Sequence, residues 1–432
     1  MIPQKNETQT KLWQRPELFL ALIAFAMRVG FMLAERTYQF PAIKNHFAFG
    51  YETGSIAGAI ARGEGFSSPF AEPSGPTAWI GPIYPYLLAG IFKFFGLFSD
   101  ASAIAILTVN SLFAAMTCWV MFQIAEEVFD RRAAYLAAGL WAVVPFFFRY
   151  AITWVWDPPV SAFLLSLGVL LVLRLRDAER KHWISLGVLA GISALVNPAL
   201  TTLFPALFAW AVWKLWHRGI RAVVPAIMAL MVMGICISPW LIRNRLVFGQ
   251  WVFLRSNAAF EFSLGNFPGS PGVAYAGMHP AVNPRIFNEY VRMGEIAFNK
   301  FKGAQAMNWA KSYPADFVKL SFKRVADFWD GGELNHEPPS DPWRPWMVTL
   351  ESVPALLGLL RAGLRRVPNI GPTALIMLLY PLPYYVVYTN PRYRHAIEPL
   401  MVLLIGYFLV SVWDEVRSKT DAKAKEMAAA AR

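Results

Sequence analysis

HFAFGYETGSIAGAIARGEGFSSPF, residues 46–70, follows the first long apolar run and reads as neither a loop nor a membrane span. One carboxylate, Glu52, stands between Tyr51 and Thr53. Small residues then recur at helical spacing, and a Gly-rich turn closes the stretch. A short helix lying on a membrane surface accounts for all three features: it is too polar to cross, and the dipole favours an acid in its first turn.

The rest of the chain supplies the membrane. Of 432 residues 56% are hydrophobic and 16% charged, with 17 Trp and 33 Phe, and mean hydropathy is +0.39; a soluble domain carries more charge. A helix needs about 20 apolar residues to cross a ~30 Å hydrocarbon core. Such runs, some of them short, lie near 17–35, 103–125, 133–151, 158–174, 183–197, 199–214, 222–242, 346–361, 370–388 and 396–413. Asn197-Pro198 divides 183–214, which reads as two short helices or as one span, since Pro removes a backbone donor and supports a turn. Charge tests the count independently. With the N-terminus inside, Lys5, Lys11, Arg15, Arg131, Arg132, Arg174, Arg176, Lys214, Arg218, Arg361 and Arg365 all fall on cytoplasmic segments, and the short outer loops at 152–160 and 195–200 carry no Lys or Arg. Both termini are therefore expected in the cytoplasm. The net charge of +12 then serves topology and contact with anionic lipid, and no basic soluble domain for nucleic acid is present. Arg28 interrupts the first run, which is not a cleavable signal, and Cys118 and Cys236 fall inside spans, where no disulfide framework is suggested.

Two outer segments are long, 36–102 and 243–345. The first is expected to hold juxtamembrane helices over about Gly50–Arg62 and Pro82–Phe95, separated by GEGFSSPFAEPSGPTAWIG. The second contains GNFPGSPG and then a mixed helical pattern from Pro284 to Phe328. The expected organisation is a transmembrane module at 1–245, an outer helical segment at 246–345, C-terminal transmembrane helices at 346–415 and a cytoplasmic tail at 416–432. No internal repeat is evident.

Acids at the outer face are few, and a carboxylate near hydrocarbon is costly unless it has a function. Glu52 and Asp157, the latter in TWVWDPPV, are the candidates; either also suits a first-turn or capping acid. The stretch YTNPRYRHAIEP places Arg392, Tyr393, Arg394 and His395 at the outer end of the last hairpin. Arginines on the side where the positive-inside rule disfavours them suit bidentate contacts to a phosphate or pyrophosphate; the alternative is snorkelling toward lipid headgroups.

These features together, with PTAWIGPIYPYLLAGIFKFFG and the outer-loop stretches GNFPGSPG, HPAVN and FKRVADFW, resemble the GT-C class of integral membrane glycosyltransferases, in the branch of the aminoarabinose transferase and the protein O-mannosyltransferases. The resemblance covers most of the chain. It implies an all-α polytopic fold with about ten transmembrane helices, in a bacterial inner membrane, with the active site on the periplasmic face. It also implies inverting transfer of a sugar from a polyprenyl-phosphate donor to an unidentified acceptor hydroxyl. In that scheme Glu52 is the base, Asp157 orients the acceptor or Glu52's hydrogen-bond partner, and Arg392 and Arg394, with Tyr393 and His395 beside them, hold the leaving phosphate. Tyr51, His46, Trp79 and Tyr84 line the substrate. No metal ligand is assigned; Mg²⁺ or Mn²⁺ is the cofactor the resemblance admits, but the family's first outer acid is usually Asp, often doubled, and here it is a lone Glu52. Two other readings are kept. One is a secondary transporter. The other is an O-antigen ligase or polymerase acting through Arg243, Arg245 and His336 of the large outer loop.

Overall fold

A computed structural model of the chain describes residues 15–42, 46–70, 72–332 and 344–430; His336, Lys5 and Lys11 lie outside them. Helices come in chain order. The first is α1, Pro16–Ala34, followed by the short surface helices α2, Glu52–Ala61, and α3, Ile83–Phe95. Next are α4, Asp100–Val128, α5, Arg131–Val143, α6, Arg149–Ile152, α7, Pro158–Arg174, α8, Arg180–Val196, α9, Leu203–Trp216, and α10, Val223–Phe248. The outer segment holds α11, Ala258–Gly265, α12, Pro284–Met293, α13, Glu295–Ser312, and α14, Pro314–Asp330. The chain ends in α15, Arg344–Leu364, α16, Gly371–Leu379, α17, Leu382–Val386, the one-turn α18, Pro391–Arg394, and α19, Glu398–Ala430.

Local chemistry explains many of these boundaries. Ser99 caps α4 by accepting from the Ser102 amide, and Asp130 caps α5 by accepting from the Ala133 amide. Pro145 bends the α5–α6 run by 68°. Asn197 accepts from the Ala199 amide across the break between α8 and α9, so 183–214 forms two helices with Pro198 at the turn. Among the described residues six helices are long and apolar enough to cross a membrane, seven if the bent α5–α6 pair is one span; α7 is apolar but shorter. Every one of the ten apolar runs carries helix. Two expected boundaries differ. Helix α10 runs through residue 245 to Phe248, and α19 passes from its apolar part into the charged tail without a break.

Helix α4 sits centrally and packs on α1, α5 and α7, while α8 pairs with α10 and α15 with α19. Arg28, inside α1, is fully buried: its guanidinium donates to the carbonyls of Trp141 at 2.9 Å and Phe147 at 3.4 Å. An internal partner is what an ionised side chain at that depth requires. Large apolar side chains such as Leu22, Phe31, Val224, Ile235 and Leu364 point outward, the pattern of lipid-facing helices. A second apolar cluster, Phe70, Trp79, Phe260, Leu264, Tyr290, Phe298 and Tyr388, joins the first outer loop to the outer segment.

Candidate active site

Two glycines let the backbone converge on the site. Gly50, at φ +88°, lies so close to the loop before α7 that a Cβ there would sit 2.0 Å from the Val155 carbonyl oxygen. The Val155 amide bonds back to the Ala48 carbonyl at 3.4 Å. This contact brings the start of α2, and with it Glu52, beside Asp157 at the start of α7. Gly81 does the same for α3, where a Cβ would meet the Leu195 carbonyl oxygen at 2.4 Å.

The result is a cavity of about 260 Å³ with charged groups from four parts of the chain. Glu52 and Asp157 face it, as do Arg392 and Tyr393 from α18, and Arg255 and Glu261 from the start of the outer segment. Glu52 Oε1 is 3.3 Å from His279 Nε2. Burial pushes the Glu52 carboxyl up, but the hydrogen bond from His279, its own amide and the Arg392 charge prevail, and it lies below its ordinary value. Asp157, just outside its span, goes the other way. Burial raises it, only partly opposed by a 2.8 Å hydrogen bond from Ser161 and by the charges of Arg255 and Arg392. Two carboxyl groups in one cavity whose environments push them apart suit different roles: one keeps its charge to lower pH and the other takes up a proton more easily than an ordinary aspartate.

Arg392 stacks its guanidinium 4.2 Å above the Trp156 ring and donates to the Tyr393 hydroxyl at 3.3 Å. Tyr393 in turn shares a 2.8 Å hydrogen bond with Tyr388, whose hydroxyl donates to Glu261 at 2.5 Å. Arg255 donates through Nε to the Trp79 carbonyl at 3.0 Å and to Asn257 at 3.1 Å. Stacking and one hydrogen bond restrain the Arg392 guanidinium while leaving other N–H groups for an anion, and Arg255 Nη2 lies 3.7 Å from Glu261 Oε1.

Six of the ten candidates read from the sequence meet at this cavity: Glu52, Asp157, Arg392, Tyr393, Trp79 and Tyr84. Tyr84 is buried and donates to Asn110 at 3.0 Å, and Trp79 is a fully buried member of the aromatic cluster with one edge on the cavity. Arg394 and His395 do not line it. Arg394 is 1% exposed, forms an ion pair with Glu351 and donates to the Phe328 carbonyl at 3.3 Å; His395 Nδ1 is 2.6 Å from Glu398. His46 stacks on Phe98 at 4.4 Å and Tyr51 packs on Phe47 at 4.6 Å, both away from the cavity lining. Arg243 is occupied by the carbonyls of Thr77 at 2.6 Å and Phe66 at 2.9 Å. The carboxylates of Glu52 and Asp157 are each held by a protein donor. Among the described residues the one group of three metal-type ligands within 4.8 Å is the exposed set Asp177, Glu179 and His182, elsewhere in the chain.

Sequence reasoning missed Arg255, Glu261, His279, Trp156 and the tyrosines. Two signals were there to find. Arg255 and Glu261 are the sole charged side chains between Arg245 and Arg285, and Tyr380, Tyr384 and Tyr388 recur every fourth residue and line one wall.

Solved structures place this architecture. The apo oligosaccharyltransferase of Archaeoglobus fulgidus aligns with TM-score 0.51 at 14% identity, covering 96% of this chain and 52% of that one. The same enzyme tethered to an acceptor peptide containing the NVT sequon gives 0.51 at 15% identity, over 95% and 51%. ArnT from Cupriavidus metallidurans bound to undecaprenyl phosphate aligns at 15% identity over 92% of this chain and 77% of that one, with TM-score 0.37. A comparison with curated proteins gives no match. The chain spans about half the length of the oligosaccharyltransferase it matches. The likeness is one of fold, and the fold is that of the GT-C class of integral membrane glycosyltransferases. Within that class, residues 76–242, from the first outer loop through most of α10, match the family described as dolichyl-phosphate-mannose-protein mannosyltransferase.

Proposed function

We propose that the protein transfers a sugar, with inversion, from a polyprenyl-phosphate donor to an acceptor hydroxyl at the outer face of a bacterial inner membrane. The observation that carries this reading is one cavity at the helix ends lined by Glu52, Asp157 and an Arg392 stacked on Trp156, with the Glu52 carboxyl lowered and the Asp157 carboxyl raised from their ordinary values. Glu52 takes the proton of the acceptor hydroxyl as its oxygen bonds to the anomeric carbon. The bond from that carbon to the phosphate oxygen breaks, and its electron pair leaves with the phosphate, where Arg392 meets the growing charge. Asp157 hydrogen-bonds the acceptor and orients it. Aromatic side chains of Trp156, Tyr84 and Tyr384 form walls suited to a sugar face.

The test uses the purified protein in lipid nanodiscs with radiolabelled polyprenyl-phosphate mannose, glucose and aminoarabinose in parallel. Release of free polyprenyl phosphate from one of them, lost in Glu52→Gln, is the expected result. Failure of all three with a panel of glycan, lipid and peptide acceptors, alongside solute uptake by proteoliposomes, would overturn the reading in favour of a transporter.

A further inference from the structure

His279 lies far from Glu52 in sequence, in the outer segment, and its ring is held from several sides. Pro280 after it restricts the backbone to extended geometry, observed at φ −90° and ψ 132°. Its carbonyl accepts from the Val282 and Asn283 amides at 3.0 Å each, and Asn283 Nδ2 ties the turn back to the Gly277 carbonyl at 2.8 Å. Phe260, Phe70 and Trp79 pack around the imidazole with centroids at 5.4, 5.6 and 6.1 Å. The side facing the cavity edge is where Glu52 approaches.

The tautomer follows from one hydrogen bond. The Ala281 backbone amide lies 3.2 Å from His279 Nδ1, and an amide N–H can only donate, so Nδ1 carries the lone pair. The ring proton is then on Nε2, 3.3 Å from Glu52 Oε1. A carboxylate's last torsion is broad when nothing holds it; here one oxygen is held.

We propose that His279 is the positioning residue of the base, its Nε2–H gripping Glu52 Oε1 so that Oε2 is presented to the acceptor hydroxyl. This rests on the reading of Glu52 as base. The bond survives the proton transfer, because a protonated carboxyl still accepts at its carbonyl oxygen. The base is therefore complete only when the outer segment is docked on the first loop. The other groups acting on Glu52 are the Arg392 charge, its own helix amide and, through His279, the Tyr51 ring 5.9 Å from the imidazole, with Asp157 also on the cavity. With His279 removed, Arg392 and the amide alone oppose burial, and protonation of Glu52 moves to higher pH.

The experiment compares His279→Phe, which keeps a ring and loses the N–H, with His279→Gln, which restores a donor. Infrared difference spectra, each protein minus its Glu52→Gln counterpart, follow the carboxyl stretch against pH in nanodiscs and need no substrate. Turnover is read as polyprenyl phosphate released from polyprenyl-phosphate mannose. The Phe variant is expected to titrate at higher pH than wild type, with kcat lowered about 10- to 100-fold, as for loss of a hydrogen bond to a charged group. Donor KM should be unchanged and most of the loss recovered in the Gln variant. An unmoved infrared midpoint in the Phe variant, or a Gln variant no better than Phe, would overturn the inference. Undiminished turnover in Glu52→Gln alone would instead overturn the base assignment, with the midpoint still reporting whether His279 holds the carboxylate.

Discussion

Glu52 and Asp157 share a cavity, and their surroundings divide the labour between them. Removing the basicity of Glu52 without changing its size is the cleanest probe: Glu52→Gln should lower turnover by ~10²–10⁴-fold, the usual range for general-base catalysis, with thermal stability near wild type. Loss of a helix-terminal acid alone costs about 1 kcal/mol, too little to mimic that effect on rate. The pH profile carries the same information. The Glu52 carboxyl lies below its ordinary 4.5, so its basic form persists to lower pH than in a free glutamate, and the acid limb of kcat should fall off below that value. Arg392 and Arg394, two positions apart, separate by partner. Arg392→Ala should weaken donor affinity while leaving the melting temperature in place, with Lys a partial substitute because it lacks the planar fork. Arg394→Ala leaves Glu351 buried without its cation, a change of the kind that costs about 3–5 kcal/mol, so it should appear as lost stability in a thermal melt.

At the scale of elements, the site depends on short helices meeting end to end, with backbone contact where side chains would intervene. Gly50 is the clearest case. An alanine there must occupy positive φ and displace the Val155 carbonyl, a strain of about 1–3 kcal/mol placed between the two carboxylates. Gly50→Ala should therefore reduce turnover more than it lowers the melting temperature, measured side by side on one preparation. The length of α10 matters for the same reason. By continuing past residue 242, where the apolar run ends, it delivers Arg243 to the carbonyls of Phe66 and Thr77, and Glu295 secures the Ala78 amide at 2.8 Å. A Gly/Pro/Ser stretch with no periodicity is thus held as a defined wall.

Across the whole molecule, the membrane bundle and the outer segment meet at the cavity, and Arg324 shows how firmly. It is fully buried and donates to the carbonyls of Gly272 at 3.1 Å, Val386 at 2.9 Å and Gly265 at 2.5 Å, and to Asn266 at 3.1 Å. It thereby binds the outer segment to the C-terminal end of α17. The charge pattern of the loops predicts which side this assembly faces. In a background lacking Cys236, a cysteine replacing Ser312 in α13 should react with a membrane-impermeant maleimide added to spheroplasts, and one replacing Ser418 in α19 should react only after permeabilisation. The reverse labelling pattern would invert the topology.

The sequence by itself located the apolar helices and pointed to both carboxylates. Apolar length, loop charge and the cost of a carboxylate beside hydrocarbon are local quantities, read one segment at a time. Pro198 likewise foretold the break between α8 and α9, whereas the bend at Pro145 inside the 133–151 run came only with the structure. Only the tertiary structure decided which arginine of the YTNPRYRH stretch faces the cavity, because the answer depends on Glu351, on another helix, taking Arg394 into the interior. Only it joined His279 to Glu52 and Arg255 to Trp79. Those pairs are distant in the chain and meet through close backbone approach and aromatic packing, which no local pattern of residues encodes.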